Sequence, residues 1–211
     1  FFISLVVEQK KTEDANDNFG IRPLPNLEAK FVAANTLIGL AKKEANLFDN
    51  PDIAKKEEEL KQAKHKIYGA KTSKTKTKYK DLVATLRVEI ADKLAELGAI
   101  GNDTARQLAQ WDMFDQNASS PFFDPEWMFG VNNGFDIVIG NPPYLRIQGI
   151  RDTDPEFADK LVKHYKSATG SFDLYAIFTE KALQITNDCG IVNFIMPTKW
   201  TNAAFGKGLR N

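Results

Sequence analysis

The stretch Phe135-Asp136-Ile137-Val138-Ile139-Gly140-Asn141-Pro142-Pro143-Tyr144 decides how this chain is read. Ile137, Val138 and Ile139 form a short β-branched apolar run, the pattern of a central parallel strand covered on both faces, and so of an α/β sheet. Gly140 ends the strand. Pro142 and Pro143 fix φ twice and remove two backbone donors, which leaves a stiff turn whose main chain there can only accept hydrogen bonds. The amide oxygen of Asn141 and the carbonyl of Pro142 could together accept both hydrogens of a planar amine. Tyr144 adds an aromatic face on which a nucleobase gains about 1–3 kcal/mol by stacking.

The amine of adenine is a poor nucleophile because its lone pair is delocalised into the ring. Acceptors fixed in advance draw density from its hydrogens as the nitrogen becomes tetrahedral, without reorganisation. An adenine inside a duplex would first have to be flipped out, at a cost of a few kcal/mol that stacking on Tyr144 partly recovers. The plainer alternative is a strand-ending turn that carries a surface tyrosine.

These residues resemble the catalytic motif of S-adenosylmethionine-dependent amino-methyltransferases, and most nearly the adenine-specific DNA methylases of type II enzymes that fuse restriction and modification. The likeness extends upstream through Phe122-Phe123-Asp124-Pro125-Glu126-Trp127-Met128-Phe129-Gly130. Downstream it runs through Ser171-Phe172-Asp173-Leu174-Tyr175 and Gly190-Ile191-Val192-Asn193-Phe194-Ile195-Met196-Pro197-Thr198-Lys199-Trp200. Arg22-Pro23-Leu24-Pro25-Asn26-Leu27 and Lys30-Phe31-Val32-Ala33-Ala34-Asn35-Thr36-Leu37-Ile38 resemble the strand whose end meets the cofactor's adenine ring.

The resemblance implies a partial Rossmann-like methyltransferase sheet with an inserted helical subdomain. Residues 1–40 and 114–211 would form the core and residues 41–113 the insertion. It implies that Asn141, Pro142, Pro143 and Tyr144 are catalytic, that S-adenosyl-L-methionine is the cofactor, and that Asn35, Leu37 and Asp173 border it. Asn35 stands where many family members carry aspartate. The partner implied is double-stranded DNA with a flipped adenine. No glycine-rich cofactor loop precedes Asn141; in the family that loop is followed by an acidic residue for the ribose, and Phe1-Phe2-Ile3-Ser4-Leu5-Val6-Val7 resembles the end of the helix after that acidic residue. The chain is therefore expected to be a fragment, inactive alone, whose parent supplies the cofactor loop, a target-recognition domain and a possible nuclease. Two other readings stay open: an amino-methyltransferase acting on protein glutamine or RNA, and a non-catalytic remnant that contacts DNA.

Composition agrees with a globular protein. With 211 residues, 43% hydrophobic and 27% charged, the chain can bury one sizeable core or a core with a helical appendage. No apolar run is long enough to span a membrane, and the lone Cys189 allows no internal disulfide, which points to a reducing, cytoplasmic compartment. His65 and His164 have no ligand-type neighbours at metal spacing, so no metal is expected. Formal net charge is zero, so any attraction for DNA must be local.

One such locality is obvious. Lysines at 61, 64, 66, 71, 74, 76, 78 and 80 occur with no acidic residue among them. Residues 69–78 read as a solvated connection between two helices, serving either solubility or phosphate contact. The first helix should start at Pro51 with Asn50 as its cap. The second is marked by Leu82, Leu86, Ile90, Leu94 and Leu97 at helical spacing, a stripe for ordinary packing. A short helix over 103–111 follows. Beyond Tyr144, residues 145–149 should form an active-site edge and Arg151-Asp152-Thr153-Asp154-Pro155 a polar turn. A helix over 155–166, another from Asp173 to about Thr186, a turn at Asn187-Asp188-Cys189-Gly190 and a strand over 191–196 complete the reading.

Overall fold

A computed structural model describes residues 9–21, 26, 30–40, 50–115, 117–202 and 206–207. The expectations for Phe1-Phe2-Ile3-Ser4-Leu5-Val6-Val7 and for Arg22-Pro23-Leu24-Pro25 lie outside them. The fold is mixed α/β with short parallel sheets and divides into two compact units. One comprises Phe1–Ala34 with Ala41–Pro121, the other Asn35–Leu40 with Phe122–Asn211.

The first unit is mostly helical. Strand β1 (Ala33–Ala34) pairs in parallel with β2 (Ser119–Ser120). Helix α1 (Pro51–Tyr68) begins as its sequence dictates: Pro51 occupies the first turn, and the Asn50 side chain accepts from the amides of Asp52 (3.0 Å) and Ile53 (3.4 Å). Helix α2 (Ser73–Glu96) corrects the expected loop. Thr72 caps it by accepting the Thr75 amide at 3.2 Å, so Ser73 to Lys78, expected as solvated coil, are helical. The run lacks apolar residues because it projects past the packed part of the hairpin, not because it is irregular. Ile53, Leu60, Ala63 and Ile67 of α1 are buried, as are Val83, Leu86, Ile90 and Leu94 of α2. Leu82 and Leu97 of the expected stripe are exposed, since a strict four-residue repeat drifts around a 3.6-residue helix and Val83 takes the inward place. Helix α3 (Asn102–Gln110) follows near its expected position. Arg87 of α2 is buried with Asp112 3.9 Å away, and burial lowers its pKa while Asp112 opposes that shift.

The second unit holds the sheet that carries the opening motif. Helix α4 (Pro125–Phe129) is capped by Asp124, which accepts the Trp127 amide at 2.8 Å, and ends on Gly130 at φ 70°, a left-handed conformation suited to glycine. Strand β3 (Phe135–Gly140) pairs in parallel with β4 (Thr186–Phe194), with Ile137 opposite Ile191 and Gly140 opposite Phe194. Phe135 stands opposite Thr186, so residues 187–190 bulge out of register. The expected turn there is absorbed into the strand as an irregularity. Gly134 enters β3 at φ +81°, and a Cβ on it would come within 2.7 Å of the Asn187 backbone nitrogen.

The expectation that this strand is covered on both faces is not met. Ile137 (60%), Ile139 (75%), Ile191 (62%) and Ile195 (72%) are exposed along one face of the pair. Among the described residues β3 and β4 pair only with each other, and α7 (Leu174–Ile185) accounts for packing on β4. A continuous apolar run reports a tendency to be buried on both sides; it cannot supply the elements that do the burying. Residues expected as a polar turn after Tyr144 are also helical. Helix α5 (Ile147–Thr153) contains Arg151, Asp152 and Thr153, and Asp154 caps α6 (Pro155–His164) by accepting the Phe157 amide at 3.0 Å. Asp-Pro reads as a turn because the same pair serves as a helix N-cap and first residue.

The core of this unit gathers Leu37, Ile147, Leu161, Tyr165, Phe172, Leu174 and Tyr175, with Met196 and Trp200 packed against it. Tyr165 crosses the core to donate to the Leu37 carbonyl at 2.6 Å, and burial raises its pKa. Glu180 accepts the amides of Lys166 (3.0 Å) and Ser167 (2.7 Å), holding the chain on which Tyr165 sits. No helix among the described residues is long and apolar enough to cross a membrane. Tyr165→Phe removes the donor and leaves a buried carbonyl unpaired, so it should cost about 1–3 kcal/mol in urea unfolding; an unchanged midpoint would mean that another donor takes over.

Candidate active site

The site grows from the carboxyl end of β3. Gly140 accepts the Ile195 amide at 3.2 Å, which extends the β3 and β4 pairing past the last strand residue and draws Ile195 up to the turn. The turn then runs Asn141, Pro142, Pro143, Tyr144, with Pro142 buried and the other three exposed. From Tyr144 the chain pairs with the start of α7. Leu174 donates to the Leu145 carbonyl at 2.8 Å, Ile147 donates to the Phe172 carbonyl at 3.0 Å, and Arg146 and Asp173 form an antiparallel bridge between them. Three chain segments therefore meet at one strand end, where sites in open α/β sheets are found.

Within this frame Tyr144 is tied to both strands. Its hydroxyl lies 2.9 Å from Asn141 Oδ1 and 2.7 Å from the Ile195 carbonyl, and donates to the two acceptors. The ring remains half exposed and meets Tyr175 edge to face, with centroids 6.2 Å apart and planes at 84°. Asn141 Oδ1 has two lone pairs. One accepts the hydroxyl, which turns the amide oxygen toward the ring and leaves the second lone pair for a donor from outside. Burial, and secondarily the Asp173 carboxylate, raises the Tyr175 phenol above its usual pKa. Asp173 lies on the same short bridge, opposite Arg146. Asp173 occupies the cap position of α7 yet makes no capping bond, so its half-buried carboxylate is directed elsewhere.

The residues expected from sequence thus fall into two groups. Asn141, Pro142, Pro143, Tyr144 and Asp173 are gathered at the strand end. Asn35 and Leu37 lie on the separate segment after β1, joined to the same core through the bond from Tyr165. Asn35 is half-buried, and its side chain accepts the Leu37 amide at 3.3 Å. The Leu37 side chain is itself buried in the core. Sequence reasoning missed the part played by Ile195, which lay in a quoted segment: no local signal says that a carbonyl 51 residues downstream will receive the Tyr144 hydroxyl. A cavity of about 250 Å³ in the helical unit, lined by Phe31, Ala33, Trp111, Asp112, Met113 and neighbours, contains none of these residues. No cluster of metal-ligating side chains occurs among the described residues.

Comparison with known proteins follows the same stretch. The profile of the Eco57I restriction-modification methylase family matches residues 25–211. The type II restriction enzyme and methyltransferase RM.Eco57I of Escherichia coli is 32% identical over 108 residues, 51% of this chain and 10% of the relative. The type II methyltransferase M.BstVI of Geobacillus stearothermophilus is 36% identical over 76 residues, 36% of this chain and 13% of the relative. The type II methyltransferase M.TthHB8I of Thermus thermophilus is 30% identical over 90 residues, 36% of this chain and 21% of the relative. The aligned stretches therefore span only a small part of the curated relatives. No solved structure matches significantly.

Tyr144→Phe should leave the fold standing, with a loss of about 0.5–1.5 kcal/mol from the exposed hydrogen bonds. It should also release the Asn141 amide. In 15N-resolved NMR the Asn141 side-chain resonances should shift; unchanged signals would show that the hydroxyl does not orient the amide.

Proposed function

Because the chain belongs to the Eco57I restriction-modification methylase family, we propose that it is the catalytic part of a type II DNA methyltransferase. The reaction is transfer of a methyl group from S-adenosyl-L-methionine to the 6-amino group of adenine in DNA. The observation that carries this reading is the turn at the end of β3, where the Tyr144 hydroxyl holds the Asn141 amide oxygen beside a half-exposed tyrosine ring.

In this reading Asn141 Oδ1 and the Pro142 carbonyl accept the two hydrogens of the target amine. They draw density onto the nitrogen as its lone pair leaves ring conjugation. The acceptors do not have to reorganise during reaction, because Pro142 and Pro143 stiffen the main chain and the Tyr144 hydroxyl holds the amide. The Tyr144 ring supplies the stacking surface for an adenine turned out of the duplex. The closed pairing of Leu145 and Arg146 with Phe172 to Leu174 keeps that surface at the strand end.

S-adenosyl-L-methionine supplies an electrophilic methyl group when bound. The donor set on this chain fits part of such a ligand. The Asp173 carboxylate, uncommitted as a cap, is an acceptor for ligand hydroxyl or ammonium groups, and Asn35 with Leu37 forms a turn at the end of β1 suited to border an adenine ring. The chain then supplies part of a Rossmann-like methyltransferase fold, with residues 41–113 as a helical insertion. A glycine-rich cofactor loop, a target-recognition domain and a nuclease, where present, come from the remainder of the parent polypeptide.

The test uses the full-length protein with methyl-labelled S-adenosylmethionine and plasmid DNA, followed by digestion to nucleosides. Label should appear in methylated adenosine and fall by at least about 100-fold in Asn141→Ala, the scale of losing one preorganised hydrogen-bonding group. Retained activity in that variant would overturn the assignment of Asn141. Label found in protein or RNA would move the substrate to those polymers, and label nowhere would indicate a non-catalytic remnant.

A further inference from the structure

We propose that the tip of the α1 and α2 hairpin is a binding surface for the DNA phosphate backbone, separate from the catalytic turn. The proposal rests on the reading that DNA is the substrate.

The tip is built, not loose. Asn26 donates from Nδ2 to the carbonyls of Ile67 and Ala70, both at 2.9 Å, and its own amide donates to Tyr68 at 3.2 Å. These bonds satisfy carbonyls that the end of α1 would otherwise leave open. Thr72 closes the other side by capping α2. The lysines expected on a loop are therefore presented by two helix ends and a clamped four-residue connection.

Part of their charge is left without an ion pair. On the shaft of the same hairpin Lys56 pairs with Glu89 and Lys93 with Glu96 at 3.6 Å. Among the described residues Lys61, Lys66, Lys71, Lys74 and Lys78 are exposed and form no ion pair. Lys66 and Lys78 instead flank the Tyr79 ring, at 5.5 and 5.8 Å from its centroid. The tip thus gathers Lys66, Lys71, Lys74 and Lys78, exposed and without an ion pair, within one short stretch of the hairpin. In a chain of formal net charge zero, that concentration is matched by an acidic excess elsewhere.

A bare cationic tip suits a polyanion. Lys74 and Lys78 are one turn apart, about 6 Å along α2. Phosphates recur every ~3.4 Å of axis on each DNA strand, so both ammonium groups can meet one backbone. Lysine is a point charge on a flexible stem, without the planar fork that reads base edges. The tip should therefore add affinity without sequence preference.

The experiment measures binding of the full-length protein to a fluorescent duplex across a salt series by anisotropy. Lys71, Lys74 and Lys78 are replaced together by glutamine, with a matching arginine triple as the charge-retaining control. Three lost phosphate contacts should reduce the slope of log K against log salt by about 2–3 for any duplex sequence. The same loss should weaken binding more than tenfold near physiological salt, and the arginine triple should keep the original slope. An unchanged slope in the glutamine triple overturns the proposal, while methylation of adenine in the same protein leaves the catalytic reading standing. Conversely, a tip-dependent slope in a protein that methylates no DNA supports the tip and sinks the catalytic reading. Loss of binding to a structured RNA alone, with duplex binding intact, overturns DNA as the occupant.

Discussion

The parallel pairing of β3 with β4 is the constraint on which the candidate site depends. It sets Gly140 against Phe194, and the next bond, from the Ile195 amide to the Gly140 carbonyl, carries the ladder one step beyond the strand. That step leaves the Ile195 carbonyl beside the turn, within reach of the Tyr144 hydroxyl. A slip of one residue would turn Ile195 to the other face and remove the acceptor. The geometry of Asn141 is thus inherited from a register decided several residues earlier.

The turn illustrates how rigidity can be assembled from weak parts. Two prolines limit the main chain, one hydroxyl is shared between two acceptors, and a short antiparallel bridge ties the outgoing chain to the start of α7. Each hydrogen bond is worth about 1 kcal/mol in net stability. Together they hold an amide and an aromatic ring in a partly exposed place where neither would otherwise keep one orientation. The core behind them does the rest. Tyr175, Phe172 and Leu174 are buried in it while their neighbour Asp173 stays half open, so the boundary between packing and chemistry passes between adjacent residues.

The helical unit is organised by a different economy of charge. Its helices pack mainly through aliphatic side chains, with Arg87 a buried charge among them, and Lys56 and Lys93 pair with Glu89 and Glu96 along the hairpin. Toward the tip Lys66, Lys71, Lys74 and Lys78 are exposed without an ion pair. Local composition announces the lysines, but the clamp by Asn26 that gives them a fixed platform joins residues more than forty positions apart.

The sequence by itself determined the local features: the helix start at Asn50, the strand before Asn-Pro-Pro-Tyr, the stiff acceptor turn and the family likeness that these residues carry. Each depends on dihedral preference or on hydrogen bonds between residues two or three positions apart, and such forces are written in order along the chain. Only the tertiary structure decided that the isoleucines of β3 and β4 are open on one face. It alone joined Tyr144 to Ile195, Tyr165 to Leu37 and Asn26 to the hairpin. Those outcomes depend on which distant segment arrives, and the free energy of burial and pairing is indifferent to sequence separation once the loop between them has closed.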